Sequence, residues 1–103
     1  MKEQILSKLR IGACKRADLL RHLHALGYND LNDRGLRQTI EEMIMEGNLI
    51  ESSNNGYSLI ANQDQLDRAV GYLNAKAEAI AIRKNMLKHN WEKSQPLMEL
   101  KLF

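Results

Sequence analysis

The chain has 103 residues, of which 44% are hydrophobic and 27% are charged, and its formal net charge is +2. This is the composition of an ordinary globular protein, and the length suits one domain with one modest core. There is no apolar run long enough to span a membrane and no signal-peptide pattern at the start. The lone cysteine, Cys14, excludes an intrachain disulfide. We therefore expect a cytoplasmic protein without membrane contacts.

The first 27 residues predict two short amphipathic helices. The first covers residues 2–11 and is broken by Gly12-Ala13, and the second covers residues 15–26 and is ended by Gly27. Apolar residues recur at helical spacing and define the predicted buried faces: Ile5, Leu6 and Leu9, then Leu19, Leu20, Leu23 and Leu26. Each helix therefore has one side available for a shared core.

A third helix is predicted over residues 33–46. Asn32 is a good N-cap, and Asp33 places a negative charge in the first turn, where the helix dipole favours it. Gly47 suits the helix end. The predicted apolar face consists of Leu36, Ile40, Met43 and Ile44.

A short β-hairpin is predicted directly after this helix. Leu49 and Ile50 form the first strand, and Tyr57, Leu59 and Ile60 form the return strand. Tyr57 and Leu59 share one side by the period of two. Asn55-Gly56 is predicted to supply two positive-φ residues in the turn.

Residues 62–92 predict one long helix. Asn62 is a suitable N-cap, and Gln65 completes a pattern like a capping box. Apolar or small residues then recur in steps of three and four, interrupted by Lys84, at Leu66, Val70, Leu73, Ala77, Ile80, Leu87 and Trp91. At roughly 1.5 Å per residue the helix would be about 44 Å long. A compact domain of this size is only about 30–35 Å across.

The excess length of this helix predicts a second chain. Its distal apolar residues would stand in water unless covered, and burying each one is worth roughly 1.5–3 kcal/mol. We expect a homodimer whose interface contains Leu73, Ala77, Ile80, Leu87 and Trp91. The alternative is that the helix bends back or frays between Lys84 and Asn90.

Three segments carry a resemblance to a known family. They are DRGLRQTIEEMIMEG, GNLIESSNNGYSLI and NQDQLDRAVGYLNAKAEAI. They resemble the third helix, the hairpin and the long acidic-capped helix of small winged-helix DNA-binding proteins of bacterial phages and prophages. The fold implied is mainly α with a small β-hairpin (α+β). From the residue patterns we expect a winged helix-turn-helix domain at residues 1–61, a long dimerisation helix at 62–92 and a C-terminal apolar tail at 93–103.

The resemblance implies binding of double-stranded DNA in replication or transcription control. On the third helix, Arg34, Arg37 and Gln38 face away from the predicted core, and arginine and glutamine recognise guanine and adenine edges. The alternative is a solvated face paired with Glu41 and Glu42 at i+4 spacing. The remaining expected DNA contacts are Lys15, Arg16 and Arg21 at the second helix and Asn54 and Asn55 at the hairpin tip.

Two features depart from the family pattern. Gly35 lies in the first turn of the presumed recognition helix, where it either permits a close approach to a backbone or weakens the contact with DNA. The tip, residues 52–55, lacks the Lys or Arg that a wing often places on phosphates. Residues 1–61 hold eight basic and eight acidic side chains, so one copy should bind DNA weakly.

The tail following Pro96 suggests a different partner. Its last five residues, ELKLF, resemble the short sliding-clamp-binding peptide of polymerases and repair proteins. Leu100, Leu102 and Phe103 match its apolar anchors, whereas Glu99 and Lys101 depart from it. The alternative function is therefore a protein-interaction module of a replication complex. No catalytic constellation, cofactor motif or metal-ligand cluster is visible in the sequence, so we expect neither an enzyme nor a cofactor nor a metal site.

Overall fold

The computed structural model describes the backbone of residues 1–102 and the side chains of residues 1–95. Its elements in chain order are α1 (Lys2–Ile11), α2 (Arg16–Ala25), α3 (Asp33–Met45), β1 (Ile50–Ser53), β2 (Gly56–Leu59) and α4 (Gln63–Leu102). Within the described residues the fold is mainly helical with a two-stranded antiparallel sheet. None of the described helices has both the length and the apolar character needed to cross a lipid bilayer.

The chain divides into two units, Met1–Ala69 and Val70–Phe103. The first unit contains α1 to α3, the hairpin and the start of α4, and the second contains the rest of α4. The side chains of the predicted tail anchors, Leu100, Leu102 and Phe103, lie outside the described residues.

The core of the first unit comes from the apolar faces of the three short helices and from the hairpin. It consists of Ile5, Leu9, Cys14, Leu19, Leu23, Leu36, Ile40, Met43, Ile50 and Tyr57. Most of the predicted buried faces are therefore confirmed. Leu26 and Ile44 are exceptions, with exposed fractions of 50% and 41%. Thr39 is also buried on α3. Its hydroxyl donates to the carbonyl of Gly35 at 2.9 Å, so the buried polar group has a hydrogen-bond partner.

The hairpin pairs Ile50 with Leu59 and Ser53 with Gly56, so Asn54 and Asn55 form its turn. The predicted positive φ at Asn55 is wrong: among the described residues only glycines have positive φ, and here it is Gly56, at 131°. A turn of this kind keeps its two central residues at negative φ and favours glycine at the fourth position. The N–H of Asn55 donates to Oγ of Ser53 at 3.2 Å.

A backbone bridge joins the α1–α2 loop to the hairpin. The N–H groups of Cys14 and Tyr57 each donate to the other's carbonyl at 2.9 Å, on the edge of β2 opposite β1. Gly56 makes this approach possible, since a Cβ there would lie 2.2 Å from the Cys14 carbonyl oxygen. The bridge fixes the hairpin against the start of α2.

The start of α4 agrees with the sequence, but its end does not. The N–H of Gln65 donates to Oδ1 of Asn62 at 2.9 Å, and Oε1 of Gln65 accepts from the N–H of Ala61 at 2.6 Å, which confirms the predicted cap. The helix continues past Glu92, its predicted end. Residues 93–95 contain no glycine to stop it, and the Ser94 hydroxyl donates to the helix's own Trp91 carbonyl at 2.7 Å.

Candidate nucleic-acid interface

The start of α3 is held by a side-chain cap. Oδ1 of Asn32 accepts from the N–H of Gly35 at 2.8 Å, as the sequence predicted. A Cβ at Gly35 would lie 3.1 Å from Cδ1 of Leu31 and 3.3 Å from that Asn32 oxygen. Gly35 therefore leaves room for the cap and for the packing of Leu31, which orient the first turn of the helix.

The exposed face of α3 changes character along its length. Arg34, Gln38, Glu41 and Met45 follow one another at intervals of four, three and four residues and are all exposed, so they form one outward row. Arg37 lies beside this row and is also exposed. The row is basic and polar in the first half of the helix. It is acidic and then apolar in the second half, where Met45 is 87% exposed.

The two arginines of α3 remain available for a ligand. Among the side chains of residues 1–95, no carboxylate lies within ion-pair distance of Arg34 or Arg37. The alternative i+4 pair between Arg37 and Glu41 is therefore not formed. In the second half of α3, Lys2 of α1 pairs with both Glu42 and Glu46.

Tyr57 lies where the charges of α2 and α3 meet. Its side chain is buried, and burial raises the pKa of its hydroxyl. The positive charges of Arg16 and Arg37 oppose this rise. The negative charges of Asp33 and Glu41 add to it. The fold thus brings the first residue of α2 and the exposed side of α3 into electrostatic reach of one hydroxyl group.

Lys15 lies beside the turn of the hairpin, where a Cβ on Gly56 would be 2.7 Å from its Cα. It precedes α2 as an N-cap residue without a side-chain cap hydrogen bond, so the first N–H groups of α2 have no protein side chain as partner at that position. Lys15, Ser53, Asn55 and Gly56 share an open depression of about 290 Å³. The predicted contacts at the start of α2 and at the hairpin tip are thus neighbours.

Arg21 differs from the other predicted cations. Its Nη2 donates to Oδ1 of Asp18 at 2.6 Å, one turn earlier on α2. Both side chains are exposed. The neighbouring carboxylate offsets the positive charge of Arg21, so it is the weakest candidate of the basic set.

An ion pair between Glu51 of β1 and Arg68 of α4 is the second contact that holds the hairpin. Nε and Nη2 of Arg68 donate to the two carboxylate oxygens of Glu51 at 3.1 and 3.0 Å. These hydrogen bonds hold the pKa of Glu51 below its ordinary range, and they raise the pKa of Arg68. This pair joins β1 to the start of α4, and the Cys14 bridge joins β2 to the α1–α2 loop.

Two features of the surface were not predicted from the sequence. One is the place of Met45 on the outward row, which the spacing from Arg34 could have indicated. The other is that the charges of Arg16 and Arg37 both act on the buried Tyr57, which the alternation within one strand does not indicate. A comparison of the chain with protein-family models, curated proteins and solved structures finds no match.

Proposed function

We propose that the protein is a winged-helix DNA-binding protein of the phage or prophage type, which acts as a homodimer in replication or transcription control. The observation that carries the proposal is the pair of exposed arginines in the first half of α3, Arg34 and Arg37, which have no carboxylate partner among the side chains of residues 1–95. In helix-turn-helix proteins the N-terminal residues of the recognition helix contact base edges. The basic half of α3 is the half that this geometry would use.

In this proposal the first half of α3 enters the major groove. Arg34 lies on the outward row and contacts a guanine edge through its two guanidinium donors, and Gln38 one turn later contacts an adenine. Arg37 and Arg16, whose positive charges both act on the Tyr57 hydroxyl, neutralise the adjoining phosphates. The acidic residues of the second half of α3 then remain outside the phosphate contacts.

The hairpin and the start of α2 supply the backbone contacts. Lys15 and the first N–H groups of α2 suit a phosphate, because a helix N-terminus and a lysine both favour an anion. Asn54 and Asn55 form the turn beside Lys15 and provide amide groups for the DNA backbone. The Cys14–Tyr57 bridge and the Glu51–Arg68 pair hold the hairpin, so this surface is ordered before DNA binds.

Charge limits the affinity of one copy. The first unit carries nine Lys and Arg against ten Asp and Glu, so long-range attraction to DNA is weak. A second copy would double the phosphate contacts and the base contacts. We propose that the exposed apolar side chains of α4, among them Leu73, Ile80, Leu87 and Trp91, join the two copies.

The DNA proposal is tested by fluorescence anisotropy with duplex DNA over a range of salt concentrations. We expect salt-sensitive binding by the wild-type protein, and weakening by about tenfold or more in Arg34→Ala/Arg37→Ala, since one bidentate arginine–guanine contact is worth ~1–3 kcal/mol. The salt slope should fall by about one unit for each phosphate-binding side chain that the substitutions remove. Arg10→Ala, which removes an exposed arginine from α1, is the control and should retain wild-type binding.

The homodimer is tested by sedimentation or light scattering. Wild-type protein should have twice the chain mass of 11.8 kDa, and Ile80→Asp should have the monomer mass. Asn85→Asp adds the same charge at an exposed polar position of α4 and should leave the dimer intact. A monomeric wild-type protein contradicts the dimer and leaves the DNA titration independently interpretable.

A protein-interaction module of a replication complex is the second candidate. It is favoured by the second half of the outward row of α3, where a highly exposed methionine lies among glutamates. Such a surface suits a protein better than a phosphate backbone. Absence of DNA binding at low salt, with micromolar protein, would overturn the DNA proposal in favour of this one.

A further inference from the structure

The second unit exposes a continuous apolar row. Val70, Leu73, Ile80, Leu87 and Trp91 are between 47% and 64% exposed. With Ala77 and Lys84 they follow in steps of three and four, which places them on one side of α4. We call residues 70, 73, 77, 80, 84, 87 and 91 the seam.

We propose that the seam pairs with the seam of a second copy in antiparallel orientation, with Ala77 facing Ile80 of the other copy. This register also sets Val70 opposite Leu87 and Leu73 opposite Lys84, and it sets Trp91 opposite Leu66, which lies before the seam. The inference rests on the proposed homodimer and adds its direction and register. The parallel alternative would set each seam residue opposite its own counterpart.

Side-chain size favours the antiparallel register. In a parallel pair, Ala77 would face Ala77, and the small side chains would leave a gap in the interface. In the antiparallel pair each Ala77 faces the larger Ile80, and Val70 faces the larger Leu87. Layers that combine a small and a large side chain fill the space between two helices more evenly, and gaps in an apolar interface reduce the dispersion energy.

The lysine within the seam gives a stronger argument. A parallel pair would place Lys84 directly against Lys84 inside the interface, where two like charges are shielded poorly from each other. The antiparallel register places Lys84 opposite Leu73. The lysine stem can then cover the leucine while its ammonium group reaches water.

Charged residues that flank the seam contribute little to the choice between the parallel and the antiparallel orientation. A parallel pair sets Arg83 beside Lys88 of the other copy, by the usual pairing of flanking positions in a coiled coil. The antiparallel pair sets Lys76 beside Arg83. Both contacts are exposed to water and are therefore worth little. Lys76 is additionally drawn to its own helix, with its Nζ 5.1 Å from the centre of the Tyr72 ring.

The register is tested by disulfide formation between two variants of the full chain, each with one introduced cysteine. Leu73→Cys and Lys84→Cys are made at exposed positions, and the native Cys14 stays in place because it is buried. Under mild oxidation a mixture of the two variants should form a disulfide-linked pair joining residues 73 and 84. Either variant alone should form several times less of the disulfide-linked dimer, because the introduced cysteines of its two copies would lie too far apart. Wild-type protein is the control for Cys14, and peptide mass analysis identifies the linked residues.

Each other outcome of this experiment contradicts the register. Efficient self-linkage of Lys84→Cys would establish the parallel pair, and a dimer by light scattering with no linkage at either position would remove the seam from the interface. A monomer by light scattering would overturn the homodimer itself. The DNA titration of the wild type and of Arg34→Ala/Arg37→Ala reports on the first unit, so failure of the register and failure of DNA binding are distinguished.

Discussion

The apolar faces of α3 and α4 have the same helical spacing but opposite surroundings. Leu36, Ile40 and Met43 of α3 are at most 2% exposed, whereas Leu73 and Leu87 of α4 are at least 60% exposed. The residue types are alike, so local helix propensity does not explain the difference. A face that meets other elements of its own unit forms a core, and a face that meets none is available to another chain.

The largest predicted effect is a difference in stability between substitutions on the buried face of α3 and on the exposed face of α4. Leu36→Ala removes a fully buried side chain and should lower the free energy of unfolding by about 2–5 kcal/mol. Leu87→Ala should change the unfolding free energy of the first unit little and should weaken self-association instead. Urea unfolding followed by circular dichroism, with sedimentation at several concentrations, measures both. Equal decreases in stability in the two variants would mean that the α4 face is buried within one chain.

Substitution of two glycines tests the same difference between the packed first unit and the exposed part of α4. Gly56→Ala would place a Cβ against the Cys14 carbonyl at a φ of 131°, so we expect a decrease of about 2 kcal/mol or more in unfolding free energy. Gly71 lies in α4 with open space around it, so Gly71→Ala should stabilise the helix by roughly 0.5–1 kcal/mol. Thermal unfolding of both variants tests the signs. A neutral Gly56→Ala would show that the bridge between the loop and the hairpin can relax.

The cap of α3 should have a smaller effect. Asn32→Ala removes the acceptor for the Gly35 N–H and should cost about 1 kcal/mol, while Asn32→Asp keeps an acceptor and should retain the stability. Denaturant titration of the two variants provides the measurement. If Asn32→Asp were as destabilised as Asn32→Ala, the side-chain oxygen would not be the stabilising group.

The smallest effect concerns pH. Arg68 holds the pKa of Glu51 below its ordinary value of 4.5, so folding is stabilised while Glu51 is ionised. This contribution is fully present above the unfolded-state pKa and disappears as the pH falls through the lower, folded-state pKa. Glu51→Gln should therefore show a shallower decrease in stability below pH 4.5 than the wild type. Stability curves at several pH values measure the slope, and unchanged slopes would exclude the pair as a contributor.

Several local features of the fold were predicted from the sequence, although the φ of Asn55 and the end of α4 were not, and the long-range contacts were not predicted at all. The Asn32 and Asn62 caps and the buried row of α3 depend on residues within a few positions of one another. The contact between Cys14 and Tyr57 joins residues far apart in the chain, and so does the Glu51–Arg68 pair. Such contacts follow from how complete elements pack, which spacing within one element does not encode.

The candidate interface shows the same division. Exposure of Arg34 and Arg37 followed from their position opposite Leu36. Whether Arg37 pairs with Glu41 could not be predicted, because the i+4 spacing permits both a salt bridge and two separate side chains. The joint electrostatic effect of Arg16 and Arg37 on Tyr57 depends on how α2 and α3 pack around the shared core.

The bridge at Cys14 makes the hairpin's motion observable. Cys14 is the chain's single cysteine, it is buried, and burial raises the pKa of its thiol, so the closed form presents little thiolate to a reagent. Alkylation must await separation of the hairpin from the α1–α2 loop. The alkylation rate of Cys14 in the unmodified protein therefore reports on that opening. DNA that binds the hairpin should lower this rate.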